Sequence, residues 1–466
     1  MGEFIQRNSA AEIIAHSVLC LFLTAFLVFI VSSSFASATF VAFCLLIGLL
    51  LCFSCSKDSF FRQNSKVFLV VFVCYVILAI IQYLDITNSI AVFADTDNDH
   101  YLFWLESQEG AKSSSFLQVF NRCIINNEYV ENGGYYFYIQ TLAYYAQHLF
   151  DGNSLMLQLL GTFFPGMLSA IVFYQLLNNY VDTQSARKYT LLYVLLTPAL
   201  SVCFGIHRDA WIAFFYLCLI YLWLVKGFSV KTLILQLVIT IILLSLRIQN
   251  GLFSVVFIFL TLISSTKKYR WLFYSILGVV LIAYGAVFYT IVNDEMLNTM
   301  VYYEQLAEES LNNVDDGLGR LVYQLPSPIK EVAQVIVLQM QFPPWLSIVQ
   351  SNTFYGQIIG FLQLLINVFW LYIFTFTVFM FIKKKFLRTV SSDWAWVFLL
   401  FFVFVFLNSA NLVLRRVVCI YPCLFLLFVY LKTTIVSKSE NSMFSPFYIL
   451  GYSLLCVTYL VAKSFL

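Results

Sequence analysis

Charged residues are scarce in this chain of 466 residues: only 11% are Asp, Glu, Lys or Arg, whereas 61% are hydrophobic. Because a soluble domain has about 25% charged residues, this composition, with a mean hydropathy of +0.86, excludes an ordinary water-soluble globular protein. The eleven cysteines lie within or beside apolar runs, except Cys123, so they predict core packing and no disulfide framework. A Walker A motif is also absent, which argues against an ATPase.

Apolar runs long enough to cross about 30 Å of hydrocarbon recur along the whole chain. They predict an all-α, polytopic integral membrane protein with about 13 transmembrane helices, built as a single membrane domain over residues 1–466. The predicted spans lie near residues 13–33, 36–54, 67–84, 155–178, 189–206, 210–225, 232–246, 251–265, 271–292, 356–382, 394–410, 417–431 and 445–462.

Basic residues are distributed unevenly between the connections of these spans. Alternate threading gathers most of the 26 Lys and Arg residues into one set of short loops, which the positive-inside rule makes cytoplasmic. The two long loops, 85–154 and 293–355, are then external, and helical periodicity predicts a membrane-surface helix over 329–341 in the second. Chemistry is therefore expected on the outer face, although the pattern leaves open whether Arg320 belongs to a site.

The stretch "CFGIHRDAWIAF", residues 203–214, places His207, Arg208 and Asp209 together at a predicted outer helix start. Charges at hydrocarbon depth are costly, about 2.5–3.5 kcal/mol each on insertion scales. One reading is a plain water boundary, with Asp209 favoured in the first helical turn and Arg208 reaching to the interface. The other is a binding site for an anion.

Two further outer helix starts also contain arginine. "SLRIQNGLF" contains Arg247 and Asn250, and "NSANLVLRRVVCIYP" contains Arg415 and Arg416. A helix N-terminus already has about half a positive charge and unsatisfied N–H groups, so arginine is unfavourable there unless an anion is shared. The repeated pattern favours a phosphate or pyrophosphate site over unconnected boundary residues.

The first external loop opens with an acidic run, "FADTDNDHYLFWLESQEG". Asp95, Asp97, Asp99 and Glu106 have the spacing of an EF-hand, but His100 occupies the position where the sharp turn needs glycine. A calcium loop is therefore disfavoured. The remaining readings are a general base toward a sugar hydroxyl, a holder of a divalent cation against phosphate, or a solvated acidic turn.

Aromatic residues at helical spacing follow in "NGGYYFYIQTLAYYAQHLF", residues 132–150. This segment predicts an amphipathic helix in the membrane interface, where most of its rings form an aromatic belt. Some aromatic side chains are instead candidates for stacking on sugars. The candidates in this loop are Tyr101, Tyr135, Tyr136 and His148.

In layout and charge placement, the chain resembles bacterial polysaccharide polymerases of the Wzy and EpsG-like type. More distantly it is similar to the GT-C superfamily of lipid-phosphosugar-dependent glycosyltransferases. The likeness covers roughly residues 90–425 and rests on the acidic loop, the aromatic helix and the short motifs "GIHRDAW", "LRIQNG" and "RRVVCIYP". These motifs are of low specificity.

The resemblance implies a GT-C-like fold and a polymerase of O-antigen, capsule or exopolysaccharide repeat units. A glycan on undecaprenyl pyrophosphate would pass to another lipid-linked repeat on the outer face of the bacterial inner membrane, with no nucleotide, cofactor or metal. The implied pyrophosphate-binding residues are Arg208, Arg247, Arg415, Arg416 and Asn250. The implied candidates for acid–base catalysis are Asp95, Asp97, His207 and Asp209.

Other functions stay open at this point. A GT-C transferase using a polyprenyl-monophosphate sugar is the nearest, although three predicted spans precede the acidic loop where that family normally has one. A flippase of lipid-linked oligosaccharide is disfavoured because the polar clusters gather on one side of the membrane, and a structural membrane protein is the third alternative. The expected partners are membrane lipid and the lipid-linked oligosaccharide, with a chain-length regulator as a further candidate and no nucleic acid.

Overall fold

A computed structural model of the chain shows an assembly of helices. It describes residues 2–55, 58–94, 99–126, 128–129, 132–265, 278, 322, 325–326, 328–384, 392–409 and 413–464. Every regular element within these ranges is helical, which agrees with the all-α prediction.

The α-helices differ widely in length, from a single turn to 31 residues. In chain order they are α1 (Gly2–Ser32), α2 (Phe35–Cys55), α3 (Asp58–Asn88), α4 (Ile90–Phe93), α5 (Asp99–Lys112), α6 (Phe116–Phe120), α7 (Gly133–Leu149), α8 (Leu155–Leu177), α9 (Thr183–Leu196), α10 (Pro198–Ser201), α11 (Asp209–Tyr221), α12 (Val230–Leu246), α13 (Ile248–Ser265), α14 (Ile329–Met340), α15 (Leu346–Val349), α16 (Phe354–Lys383), α17 (Ser392–Asn408), α18 (Tyr421–Tyr430) and α19 (Lys438–Ser464). Wider π turns or tighter 3₁₀ turns occupy Asn121–Ile125, Leu222–Lys226, Leu414–Arg416, Val418–Ile420 and Leu431–Ile435.

Eight helices in the described part of the chain are long and apolar enough to cross a membrane. They are Glu12–Ser32, Phe35–Ser54, Gln63–Asn88, Leu155–Leu177, Asp209–Lys226, Phe354–Lys383, Val418–Ile435 and Met443–Val461. Three of the remaining predicted spans, 232–246, 251–265 and 394–410, coincide with shorter apolar helices, namely α12, α13 and α17. The predicted span 271–292 lies outside the described residues. The structure thus supports a polytopic membrane protein, with eight candidate spans where the sequence predicts about 13.

The predicted span 189–206 is wrong as a single helix. Helix α9 covers Thr183–Leu196 and ends where Pro198 follows Thr197. The residue before a proline is pushed out of the helical conformation, and Thr197 accordingly adopts an extended one with φ −127° and ψ 166°. The chain then makes one short turn and an irregular segment, which leads to His207.

Helix α8 forms the centre of the assembly. It contacts α2, α3, α7, α9 and α11, and 20 of its 23 residues are buried. Two of its buried polar side chains donate hydrogen bonds nearby: the Gln158 Nε2 donates to Asn153 and to the backbone of α7, and Thr162 donates to the carbonyl oxygen of Gln158. A buried, hydrogen-bonded helix of this kind gives the surrounding helices a rigid support.

One end of the helices is rich in lysine. Lys66 pairs with Glu12 at 3.3 Å near the beginnings of α1 and α3, and Lys384 pairs with Glu440 at 2.8 Å where α16 ends and α19 begins. Lys383 contacts the same glutamate at 3.1 Å. We refer to the end that contains these three lysines as the lysine-rich end.

The opposite end is fastened by carboxylates. Asp151, just before α8, accepts hydrogen bonds from the backbone N–H groups of Phe35 and Ala36 at the start of α2, at 2.5 and 2.8 Å. Asp85, near the end of α3, accepts from the Thr353 hydroxyl that also caps α16. These contacts join the start of α2 to the start of α8, and the end of α3 to the start of α16, at the end opposite the lysine-rich one.

Candidate functional site

The three arginine-containing motifs lie at helix ends, as the sequence predicts. Arg208 is the residue before α11, Arg247 joins α12 to α13, and Arg415 and Arg416 form the 3₁₀ turn ahead of α18. The far end of α11 meets the far end of α8, where the Tyr221 hydroxyl donates to Gln175 at 3.1 Å. Helix α11 therefore starts at the end opposite the lysine-rich one.

A buried ion pair joins two of the motifs. The Arg247 Nη1 lies 2.9 Å from the Asp209 Oδ1, and the two side chains are only 14% and 3% exposed. Asp209 also interacts electrostatically with His207, Arg208 and Arg415. Side chains that are far apart in the sequence are thus brought to one place.

A second, more exposed ion pair connects the first loop to the third motif. The Arg415 Nη2 lies 2.5 Å from the Asp99 Oδ2, at the first residue of α5. Partial burial alone would raise the pKa of Asp99, but the hydrogen bond and the positive charge of Arg415 outweigh it and lower that pKa below its usual value. Asp99 is therefore ionised at neutral pH and holds Arg415 in place.

Two histidines lie between these ion pairs. The rings of His100 and His207 meet edge to face with centroids 4.9 Å apart. Burial, together with the neighbouring His100, lowers the pKa of His207 to about 3, and burial and the nearby Arg415 lower the pKa of His100 as well. Both rings are therefore neutral at pH 7. The His207 Nδ1 is buried and has no hydrogen-bond partner among the described residues.

The backbone is shaped around this histidine pair. Gly205 has φ +88°, a conformation that favours glycine, and a Cβ at this position would come 2.4 Å from the His100 ring. The next residue, Ile206, places its carbonyl oxygen 3.4 Å from the His100 Nδ1. The irregular segment after α10 thus packs directly on the beginning of α5.

We refer to this group of side chains as the arginine cluster. It consists of Arg208, Arg247, Arg415, Asp99, Asp209, His100 and His207. Within the described part of the chain, the cluster combines three arginines with two carboxylates, and both of its histidines are neutral. An arrangement of this kind is suited to bind an anion that carries more than one negative charge.

The structure places two other predicted anion-binding residues beside the cluster. Asn250 is buried, and its Nδ2 donates to the Cys419 Sγ at 3.7 Å, which ties α13 to the segment before α18. Arg416 shares a turn with Arg415, and its carbonyl oxygen accepts from the same Cys419 thiol at 3.7 Å. Asn250 therefore connects α13 to the segment before α18, next to the cluster.

The predicted sugar-binding aromatics lie in different surroundings. Tyr135 and Tyr136 of α7 both lie within electrostatic range of Arg208, and Tyr136 stacks on Tyr129 with centroids 4.0 Å apart. Tyr101 packs edge to face on Phe93 at 5.6 Å. The α7 tyrosines are thus near the cluster, and Tyr101 forms part of an apolar contact.

His148 lies at the other end of α7. It stacks on Tyr144 of its own helix at 4.2 Å, and its Nδ1 lies 2.9 Å from the carbonyl oxygen of that tyrosine. The catalytic candidates Asp95 and Asp97, as well as Arg320, lie outside the described residues.

Asp99 and His100 were not predicted as site residues. The only sequence feature that singles them out is their position in the acidic run. There His100 occupies the position of the EF-hand glycine, which argues against a calcium loop but predicts no other role. No group of three or more potential metal ligands occurs within the ranges that the structure describes. Comparison of the chain with family models, with curated proteins and with solved structures finds no match.

Proposed function

We propose that this chain is a glycosyltransferase of the polysaccharide polymerase class, which acts on lipid-linked oligosaccharide in a bacterial plasma membrane. In this proposal the arginine cluster binds the pyrophosphate of a polyprenyl-linked donor, and another lipid-linked repeat unit is the acceptor. The observation that carries the proposal is the convergence of Arg208, Arg247 and Arg415 from three separate parts of the chain.

The charges of the cluster favour a pyrophosphate over a single phosphate ester as the ligand. In the structure, Asp209 holds Arg247 and Asp99 holds Arg415, so both arginines are already oriented before any ligand binds. An incoming pyrophosphate competes with these carboxylates for the two arginines and also contacts Arg208. Preorganised cations of this kind stabilise the negative charge that develops on a leaving group.

The transfer step requires a proton acceptor as well. The acceptor hydroxyl attacks the anomeric carbon of the donor sugar, and the new C–O bond forms as the bond from that carbon to the pyrophosphate oxygen breaks. The pyrophosphate leaves with the electron pair, and the hydroxyl proton passes to a base. Of the two candidates among the described residues, we favour His207 over Asp209, because Asp209 is held in an ion pair by Arg247. His207 is neutral, and the negative charge of a bound pyrophosphate nearby would raise its low pKa. Asp95 and Asp97 remain candidates from the sequence.

The orientation in the membrane also supports an external reaction. The arginine cluster and the lysine-rich end lie at opposite ends of the helices. Since lysines and arginines gather on the cytoplasmic side of membrane proteins, the cluster is expected to face outward. An outward site suits a lipid-linked donor, which needs no nucleotide from the cytoplasm.

The proposal is tested by analysing surface glycans of cells that lack the chromosomal copy and carry a plasmid-borne variant. We expect the deletion to reduce a long ladder of glycan bands to the single-repeat band. Because loss of one charge-stabilising donor costs about 10²–10³ in rate, we expect Arg208→Ala to fail to restore the ladder while reaching the membrane at a normal level.

Arg187→Ala provides the matched control. Arg187 is exposed near the start of α9, at the lysine-rich end, and its loss is expected to leave the ladder unchanged. A full ladder with Arg208→Ala would refute the role of the cluster. An intact ladder whose bands all shift by one sugar would indicate a monophosphate-sugar transferase, and accumulation of lipid-linked repeats on the inner leaflet would indicate a flippase.

A further inference from the structure

A polar groove lies on the first external loop, beyond the end of α5. Its volume is about 390 Å³, and among the described residues that line it only one, a leucine, is apolar. The polar residues that line it are Ser115, Gln118, Asn121, Arg122, Asn126 and Glu128. We refer to it as the amide groove.

A π turn builds the amide groove. The backbone N–H of Asn126 donates to the carbonyl oxygen of Asn121 at 2.8 Å, which closes the wide turn over Asn121–Ile125. A regular α-helix brings residues three or four apart together, whereas this turn brings together residues five apart. Asn121 and Asn126 are both exposed, and within the described part of the chain neither side-chain amide makes a hydrogen bond.

The other polar residues hold this turn in place. Arg122 donates to Gln140 of α7 at 3.3 Å and to the Ser113 hydroxyl at 2.9 Å. The Ser115 hydroxyl accepts from the backbone of Gln118 and so caps α6. The groove therefore has a fixed wall, and the two asparagines are available for a ligand.

The lining chemistry selects among classes of ligand. A lipid or a drug-like molecule needs a mostly apolar pocket, and the amide groove has one leucine. Nucleic acid needs several unpaired basic residues, and here Arg122 is the only basic residue and lies 4.0 Å from the Glu109 carboxylate. Amides both donate and accept hydrogen bonds, which matches sugar hydroxyls that do the same.

A chain of contacts connects the groove to the arginine cluster. The Gln140 side chain accepts a hydrogen bond from Arg122 and donates one to the Tyr129 hydroxyl at 2.9 Å. Tyr129 stacks on Tyr136, which lies within electrostatic range of Arg208. Helix α5 runs from the cluster toward the groove, and its 14 residues span about 20 Å. A ligand that reaches both places must therefore be several sugars long.

We propose that the amide groove binds the glycan of the substrate several sugars away from the reacting bond. This inference rests on the proposed function, because it assigns a second contact to the same oligosaccharide. The groove retains the growing chain between successive additions and so favours long products. Loss of the groove shortens the polymer, whereas loss of the arginine cluster abolishes it.

The test compares Asn121→Ala/Asn126→Ala with Gln147→Ala. Gln147 is an exposed amide on α7 outside the groove, so its replacement is the matched control. The probe is the glycan released from the surface of the producing cells, and its binding to the purified full chain in detergent is measured by titration. Loss of two hydrogen-bonding amides is expected to weaken binding about tenfold, and the surface ladder is expected to shift to shorter chains. Gln147→Ala is expected to change neither.

Unchanged affinity and unchanged chain length in the double variant would overturn the groove assignment. The same holds if the full chain does not bind the released glycan. The proposed function is tested separately, since a long ladder in the deletion strain would refute it. Weaker glycan binding by the double variant would even then support the groove.

Discussion

Arg247 has a defined partner in the structure, the carboxylate of Asp209. Arg247 therefore has a structural role in this ion pair in addition to its proposed role in binding the anion. Removing one member of a buried pair leaves an uncompensated charge, which typically costs about 3–5 kcal/mol. A simple loss of activity in Arg247→Ala would therefore not distinguish misfolding from loss of anion binding. The pair offers a way to make that distinction.

We expect Arg247→Ala to lower both the amount of protein in the membrane and its melting temperature, because Asp209 remains buried at 3% exposure without its partner. The double variant Asp209→Asn/Arg247→Ala removes both charges, so its level and melting temperature are expected to recover. Its glycan ladder is expected to stay absent, because the leaving pyrophosphate still lacks Arg247. Recovery of the ladder together with the melting temperature would mean that the pair is purely structural.

The pairing of these residues shows what the sequence does and does not predict. The sequence predicts that the arginines meet, because each lies at an outer helix start. A positive charge is unfavourable at a helix N-terminus unless an anion lies nearby. In the structure the partners of Arg247 and Arg415 are carboxylates, and Asp99 lies 316 residues from Arg415. No local pattern predicts a contact over that separation, so Asp99 and the adjoining His100 were missed.

At the scale of elements, the irregular segment between α10 and α11 is the part of the fold that shapes the site. Its apolar composition resembles a membrane span, so hydropathy alone extends the preceding helix through it. The proline at 198 ends that helix, and Gly205 with its positive φ turns the chain onto the His100 ring. By contrast, the helices predicted at 132–150 and 329–341 are confirmed as α7 and α14, because their periodicity is regular.

Gly205→Ala tests whether this turn positions the histidine pair. The new Cβ would meet the His100 ring at 2.4 Å, so the ring must shift, and its contact with His207 changes. We expect the rate of polymer formation to fall by at least about tenfold, since misplacement of a catalytic group by about 1 Å can lower the reaction rate about 10²-fold. The variant is expected to insert into the membrane normally. Activity of the membrane fraction per molecule of protein is the measurement.

Gly227→Ala provides the matched control for backbone strain. Gly227 also has a positive φ, +62°, but a Cβ there would meet no atom within 4 Å. A positive φ is strained for any residue other than glycine and costs about 1–3 kcal/mol at either position, so both variants lose stability. Only Gly205→Ala is expected to lose activity per molecule. Equal losses in the two variants would show that the contact with His100 has no part in the reaction.

At the scale of the whole molecule, the two ends of the helices hold different charged clusters, and the distribution of lysine predicts which end faces the cytoplasm. The lysine-rich end gathers lysines of α3 and of the end of α16, which pair with glutamates of α1 and α19, while the arginine cluster forms at the other end from α5, α11, the start of α13 and the turn before α18. Because the positive-inside rule counts basic residues in short loops, it places the lysine-rich end in the cytoplasm.

This orientation is tested with Gln147→Cys and Gln184→Cys, two exposed amides at opposite ends of the helices. The described native cysteines are buried or half-buried, which keeps background labelling low. In right-side-out spheroplasts, a membrane-impermeant maleimide is expected to label the cysteine at 147. In inverted vesicles, the same reagent is expected to label the cysteine at 184. The reverse pattern would put the arginine cluster in the cytoplasm, where a donor on the outer leaflet cannot reach it. The polymerase proposal would then fail even if Arg208 proved essential. In that case the anion that Arg208 binds would have to come from the cytoplasm.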